Sequence, residues 1–321
     1  MDSRKQTVKK AITFNDPAYV PILFFNRDKD QSDIIMIDVV RHFGGEGGLE
    51  SEWGFVWERN DETMGQPKEP LLTVGQSADS LRIPDPKRSD RFEAVHPTME
   101  RYGRDRYYLA SLVLSGFTVM SFLKGFSETL IDLYTDDPDI HTLADIVFGF
   151  ESDVIRLLPG LGFDGVAFFD DWGTQTNLII SPELFRRFFK PRYKAQFDLV
   201  HSLGMDVYFH CCGYILDIIP DLIEVGVDVL NLSQPNIFDI EALGRNFAGK
   251  VCFVCPVSYQ TTGISGSREE IFAEAARLAE NLKTAHGGFI GYVEEYHSIG
   301  MSEENYRACI DAFRSIRYKQ K

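Results

Sequence analysis

The sequence predicts a single (β/α)8 barrel with an irregular N-terminal extension, and three observations lead there. From residue 107 onward, short apolar runs alternate with stretches of helical spacing almost to the C-terminal end. The joint from helix to strand recurs as Leu161-Gly-Phe-Asp164, Leu203-Gly-Met-Asp206 and Val225-Gly-Val-Asp228, with glycine as the helix C-cap and aspartate entering the next strand. Repeated units of this kind imply a parallel sheet, and 321 residues suit one barrel-sized domain. A doubly wound sheet would more often carry a glycine-rich phosphate loop after its first strand, and no such loop is present.

Residues 1–105 form the less regular part of this one domain and residues 106–321 the regular repeats. The apolar run 20–25 suits a buried strand, and residues 31–43 have helical spacing, with Ile34, Ile37 and Val40 on one side. Gly44 and Gly45 should stop that helix, with Gly47 and Gly48 continuing the loop. Glu52-Trp-Gly-Phe-Val-Trp-Glu58 alternates as one arm of a hairpin, and prolines 67, 70, 84 and 86 make residues 66–91 a covering loop. Loops of that length are usually functional, as a lid or a substrate wall.

Strands are then expected at 107–114, 163–170, 207–210, 227–232, 251–254 and 288–293. Helices are expected at 119–133, 140–158, 181–202, 216–224, 240–247, 269–285 and 303–316. The helix from 181 opens on Ser181-Pro-Glu183, a serine cap with proline in the first turn and an early acid. With 20–25 this makes seven strands, and an eighth could hide in a less regular segment.

The net charge of −15 and pI near 4.9 argue against a nucleic-acid binder, which would carry a basic face. Five cysteines in a chain this long are not a disulfide framework and fit reduced thiols in a cytoplasm. The charged start Met-Asp-Ser-Arg-Lys-Gln lacks an apolar stretch behind it, and no run approaches the ~18 apolar residues of a membrane span. A soluble cytoplasmic protein is the expectation, with order beyond the first dozen positions.

Barrel active sites sit at the C-terminal ends of the strands. Reading just past each apolar run gives Asn26 and Arg27; Ser115; Asp170, Asp171, Trp172 and Gln175; His210 and Cys212; Ser233, Gln234 and Asn236; Cys255; and Glu294 and Glu295. Among these, Val207-Tyr-Phe-His-Cys-Cys-Gly213 stands out. Side chains alternate along a strand, so His210 and Cys212 point the same way and form half of a candidate metal site, while Cys211 faces the other side. A satisfied core histidine beside buried thiols is the structural alternative.

The blocks Phe-Phe-Asp-Asp-Trp-Gly-Thr-Gln at 168–175, Ile-Ser-Pro-Glu-Leu-Phe at 180–185, His-Cys-Cys-Gly at 210–213 and Ile-Pro-Asp-Leu-Ile-Glu-Val-Gly-Val-Asp-Val-Leu-Asn at 219–231 resemble the uroporphyrinogen decarboxylase superfamily. The resemblance extends more weakly from Glu52 to Arg307 and implies a (β/α)8 barrel. Decarboxylases of the superfamily carry Arg-Gln-Ala-Gly-Arg after the first strand, where this chain has Phe25-Asn-Arg-Asp-Lys-Asp30 with one arginine and added acids. The other branch comprises zinc methyltransferases that work with corrinoid proteins, with the pattern His-x-Cys-Gly and a late cysteine. His210, Cys212 and Gly213 match the first half, and the late cysteine's place falls near Glu294 and Glu295.

That likeness implies zinc held by His210, Cys212 and Glu295, with Cys255 as a substitute. It also implies methyl transfer from an O-methylated substrate, an aryl methyl ether first among them, to the cob(I)alamin of a partner corrinoid protein. A carboxylate in place of a thiolate leaves the metal the harder Lewis acid, suited to an oxygen-bound methyl. Asp170 or Asp171 would orient His210 or give a proton, and Arg27, Gln175 and Asn236 would contact substrate. Trp53, Trp57 and Trp172 would line an aromatic wall. A metal-free lyase and a non-catalytic corrinoid-protein-binding homologue are the alternatives, and a homodimer is left open.

Overall fold

The computed structural model describes residues 2–43, 50–58 and 65–318. The glycines at 44, 45, 47 and 48 lie outside the described residues. The strands in chain order are β1 (Ile22–Phe24), β2 (Ile34–Asp38), β3 (Trp57–Glu58), β4 (Gln66–Pro67), β5 (Tyr107–Ser111), β6 (Gly165–Phe169), β7 (Asp206–Cys211), β8 (Val229–Leu232), β9 (Cys252–Pro256) and β10 (Phe289–Val293). Eight of them form one parallel sheet in the order β1-β10-β9-β8-β7-β6-β5-β2, wrapped by helices as a (β/α)8 barrel. Between β1 and β2 the ladder is replaced by local bonds. Asp33 N donates to Ile22 O at 2.9 Å, and the Asp33 carboxylate and Ser32 hydroxyl accept from Ile22 N and Phe24 N at 2.8 and 3.0 Å.

The missing eighth strand is β2, in the segment whose spacing suggested a helix over 31–43. Ile34 and Met36 face the barrel lumen, while Ile35 and Ile37 pack outward with Val95 and Tyr108. Burial on both sides erases the alternation that normally marks a strand. The stiffness of three isoleucines in four positions at χ1 then favours the extended chain. Glu52–Glu58 does supply a hairpin arm, through β3 paired antiparallel with β4. The helix expected over 119–133 is two, Gly116–Lys124 and Phe126–Thr135, broken at Gly125 with φ +91°.

The repeated joints have one physical form. Gly162, Gly204 and Gly226 all take positive φ, of 97°, 74° and 103°. Asp164 and Asp228 then accept from the backbone N–H of Tyr108 and Val207 on the preceding strand, at 3.1 and 2.7 Å. These bonds fix strand register at the bottom of the barrel. That end is stoppered by the helix Arg4–Ile12, in the stretch where the sequence offered no element, started by a capping box of Ser3 and Gln6. Val8, Ala11 and Ile12 join Leu23, Leu109, Ala167, Val229 and Ile290 in the lumen core.

Above that core, helix Gly116–Lys124 starts on two buried carboxylates. Gly116 N donates to Glu151, and Phe117 N and Thr118 N donate to Asp170, at 2.8, 2.9 and 2.8 Å. Burial pushes the Glu151 carboxyl up to about 8. Since the folded chain holds this proton more tightly than the unfolded chain, its stabilising effect is complete at acid pH and fades as pH rises toward that value. Melting temperature should therefore decline between about pH 5 and 8, and Glu151→Gln should flatten the decline measurably. The Gln196 amide, whose Oε1 has no partner among the described residues, can turn to accept the new N–H. A decline unchanged in the variant would show that this proton is not retained.

Candidate metal centre at the mouth of the barrel

The lumen positions of each strand continue into the residues that follow it, because side chains alternate. On β6, Ala167 and Phe169 lead to Asp171, and on β7, Tyr208 and His210 lead to Cys212. His210 Nε2 lies 3.6 Å from Cys212 Sγ and 3.9 Å from Asp171 Oδ1, and all three donor atoms lie within 4.8 Å of one another. Cys212 N donates to the same Asp171 oxygen at 2.7 Å, and Cys212 Sγ touches Ser233 Oγ at 3.1 Å.

The loops after β6 and β7 are locked together. Tyr214 N donates to Thr174 O at 2.7 Å and Gly173 N to Cys212 O at 3.2 Å. A Cβ on Gly213, whose φ is +81°, would lie 2.0 Å from Gly173 O, and one on Gly173 would lie 2.3 Å from Tyr214 N. The glycine that ends the His-Cys-Cys-Gly block is therefore required by backbone contact. Gln234 Oε1 accepts from Gly213 N at 2.9 Å and fastens the loop to the next strand end.

Asn231, one lumen position beyond Val229 on β8, sets the histidine. Its Nδ2 donates to Val254 O at 2.9 Å, so its Oδ1 accepts from His210 Nδ1–H at 2.7 Å. The Nε2 lone pair is thereby aimed at Cys212 and Asp171. Sequence reading passed over this residue, although a buried amide inside the apolar run Val-Leu-Asn-Leu was the available signal.

The donor set fits zinc. Zn–N and Zn–S bonds of about 2.0 and 2.3 Å at tetrahedral angles put neighbouring donors about 3.5 Å apart, close to the separations here. Burial, then the neighbouring Asp171 carboxylate, pushes the Cys212 thiol up to about 12. A sulfur beside a carboxylate needs either its proton or a cation, and metal loading exchanges one for the other.

The other sequence-selected residues divide clearly. Glu295 turns away from the triad, as alternation demands, and pairs with His297 Nε2 at 3.1 Å. Glu294 is the one that continues the lumen register from Ile290 and Tyr292. It accepts from Tyr292 and Tyr296 hydroxyls at 2.6 and 2.7 Å, and burial raises its pKa. Cys255 is fully buried in the layer between strands and helices. Asp170 is likewise fully buried. It accepts from Thr118 Oγ1 at 2.7 Å and from the Tyr193 hydroxyl besides its two helix N–H groups, which makes it the cap of that helix.

Arg27 is held by Glu303 at 2.7 Å and lies over the Tyr306 ring. Gln175 and Asn236 join through Gln260 at the rim, at 3.4 and 3.1 Å. Asn26 ties the β1 end to the backbone of Glu295, and Ser115 bonds the Phe169 backbone. Trp53, Trp57 and Trp172 are all core residues, 3%, 1% and 0% exposed, so none forms the expected wall. Trp172 packs between Phe117 and Phe189 and donates to Tyr193 at 3.1 Å. The aromatic floor of the mouth consists instead of Phe25, Phe169 and Tyr292, with Phe169 4.8 Å from the His210 ring.

A methyltransferase from Methanosarcina mazei superposes with a TM-score of 0.69 at 16% sequence identity, over 98% of this chain and 99% of that one. A D-psicose 3-epimerase from Clostridium cellulolyticum H10, solved with D-tagatose, gives a TM-score of 0.43 at 13% identity, over 71% of this chain and 83% of that one. No curated protein matches the sequence significantly. The family model for uroporphyrinogen decarboxylase (URO-D) matches residues 59–316, most of the barrel and the whole of the candidate centre. The chain belongs to the uroporphyrinogen decarboxylase family.

Proposed function

We propose that the protein is a zinc-dependent methyltransferase that takes a methyl group from an O-methylated small molecule, an aryl methyl ether first among them, and delivers it to the cob(I)alamin of a partner corrinoid protein. The observation that carries this reading is the convergence of one nitrogen, one sulfur and one carboxylate donor, from His210, Cys212 and Asp171, at the mouth of the barrel. Asp171 takes the place that the sequence assigned to Glu295. The fold likeness to the Methanosarcina methyltransferase, over nearly the whole of both chains, accords with it.

Zinc bound by these residues would supply Lewis acidity at the donor oxygen, and the corrinoid would supply the methyl acceptor. The chain's own groups do the rest. Asn231 holds the imidazole in the Nδ1–H form, so that Nε2 is free to coordinate. Asp171 and the Ser233 hydroxyl fix Cys212 from two sides. Phe25 and Phe169 offer flat apolar faces on which an aryl ring can rest, and they shut water out from below.

A metal-free lyase acting on polycarboxylates is disfavoured. Arg27, the one arginine at the β1 end, is committed to Glu303, and carboxylates from Asp171 and Glu294 stand in the mouth. No described helix is long and apolar enough to cross a membrane. All five cysteines are free thiols, which suits the reducing cytoplasm we assign to the protein.

Elemental analysis should find about one zinc per chain in the wild type, lost in His210→Ala, Cys212→Ala and Asp171→Ala but kept in Glu295→Ala. A metal-free wild type that refuses added zinc would sink the mechanism. Asn231→Leu should fold normally yet bind zinc about 10- to 100-fold more weakly, as measured by competition with a chelator. Wild-type affinity in that variant would remove Asn231 from the account. Methoxylated arenes should methylate a reduced corrinoid protein, followed by its absorbance, and His210→Ala should abolish the transfer; an unaffected variant would contradict the reading.

A further inference from the structure

We propose that the methyl donor carries an ammonium group, seated between Asp38 and Glu294 over the ring of Phe25, with its methoxyl end at the wall of His210 and Cys212. This rests on the methyltransferase reading above and narrows it to a substrate class. The strand order places β1 directly across the barrel from β7, with β2 and β10 on either side of β1. Across from the metal ligands, therefore, stand the lumen residues that end β2, β1 and β10. They are Asp38, Phe25 and Glu294.

Asp38 continues the lumen register of Ile34 and Met36. Solvent reaches it, yet burial raises its pKa, as expected for a group on the wall of a concave mouth. Ser111 and Lys29 are near enough to ease the rise, and Lys29 forms no ion pair with it. Glu294 is held by two tyrosine hydroxyls. Neither carboxylate has a lysine or arginine ion-pair partner among the described residues, and Arg27, just beyond β1, is turned to Glu303.

The floor between the two walls is aromatic. Phe25 lies 6.4 Å from Phe169 and 5.9 Å from Tyr292, measured between ring centroids, so the three rings form one floor from the His210 side to the Glu294 side. Ring faces beside carboxylates attract a cation twice, through the ring quadrupole and through direct charge. A second observation marks the same place. Tyr208, one lumen position below His210, is 1% exposed, and its hydroxyl has no hydrogen-bond partner among the described residues. An unsatisfied buried hydroxyl beneath an anionic cup is polar capacity that the protein alone does not use.

The opposite preference, for a carboxylated arene, would set a fourth carboxylate among Asp38, Asp171 and Glu294. The experiment is titration calorimetry of the zinc-loaded protein with three matched probes: 4-methoxybenzylamine, 4-methoxybenzyl alcohol and 4-methoxybenzoate. The amine should bind about tenfold more tightly than the alcohol, and the benzoate most weakly. Asp38→Asn and Glu294→Gln should each erase most of the advantage of the amine while leaving the alcohol within about twofold of wild type, and added salt should narrow the gap.

Glu241→Gln, which removes a distant surface charge paired with Arg277, should change nothing, and so reports on the global field. Variants are compared at matched melting temperature and circular dichroism, and the intact binding of the alcohol confirms each site. Benzoate binding as tightly as the amine, an amine preference that survives both substitutions, or no binding of any probe would overturn the proposal. Binding in the expected order without methyl transfer to a reduced corrinoid would uphold this pocket and overturn the methyltransferase reading alone.

Discussion

The candidate centre depends on one close approach of two backbones. The loops that follow β6 and β7 meet at Gly173 and Gly213 with no room for a side chain on either. This contact brings a carboxylate from one strand beside a thiol from the next, and the bond from Cys212 N to Asp171 records how tightly they are held. Neither residue is near the other in sequence. A metal bound here would meet donors already held in place, which would keep the reorganisation cost of binding low.

Support for that contact runs downward through the barrel. Asn231 fixes the imidazole and is itself fixed by the Val254 carbonyl, so three adjacent strands, β7, β8 and β9, share one hydrogen-bond chain. On the other side, Asp170 anchors the start of helix Gly116–Lys124, and Trp172 fills the space among Phe117, Phe189 and Tyr193. The Asp-Asp-Trp sequence thus splits its work. Asp171 faces the mouth, while its two neighbours face the core and keep the strand end from moving.

Much of this was legible from residues alone, and the failures have physical causes. The barrel followed from three Leu/Val-Gly-x-Asp joints because a positive-φ glycine and a strand-capping aspartate are local requirements. That His210 and Cys212 face the same way followed from strand alternation. Strand β2 was missed because both its faces are buried, so that Ile34, Ile37 and Val40 mimic a helix spacing. Counting along a chain located the late cysteine's place only to Glu294 and Glu295, of which Glu294 faces the lumen, and it gave no sign that Asp171, at the end of a different strand, stands beside His210. In a strand, one residue is the difference between lumen and outside. The tryptophans were assigned to a substrate wall because size and aromaticity say nothing about facing, and burial places all three in the core. Asp38 escaped notice along with the strand that carries it.

The central claim is that one sulfur, from Cys212, and a carboxylate from Asp171 complete a metal site begun by His210. X-ray absorption spectroscopy of the zinc-loaded protein tests it most directly. The account predicts a four-coordinate shell with a single sulfur near 2.3 Å and the remaining ligands nitrogen or oxygen near 2.0 Å, and a changed light-atom shell in Asp171→Asn. Two sulfurs in the shell would bring a second cysteine to the metal, and no sulfur at all would take the metal away from Cys212. Either result would contradict the centre described here.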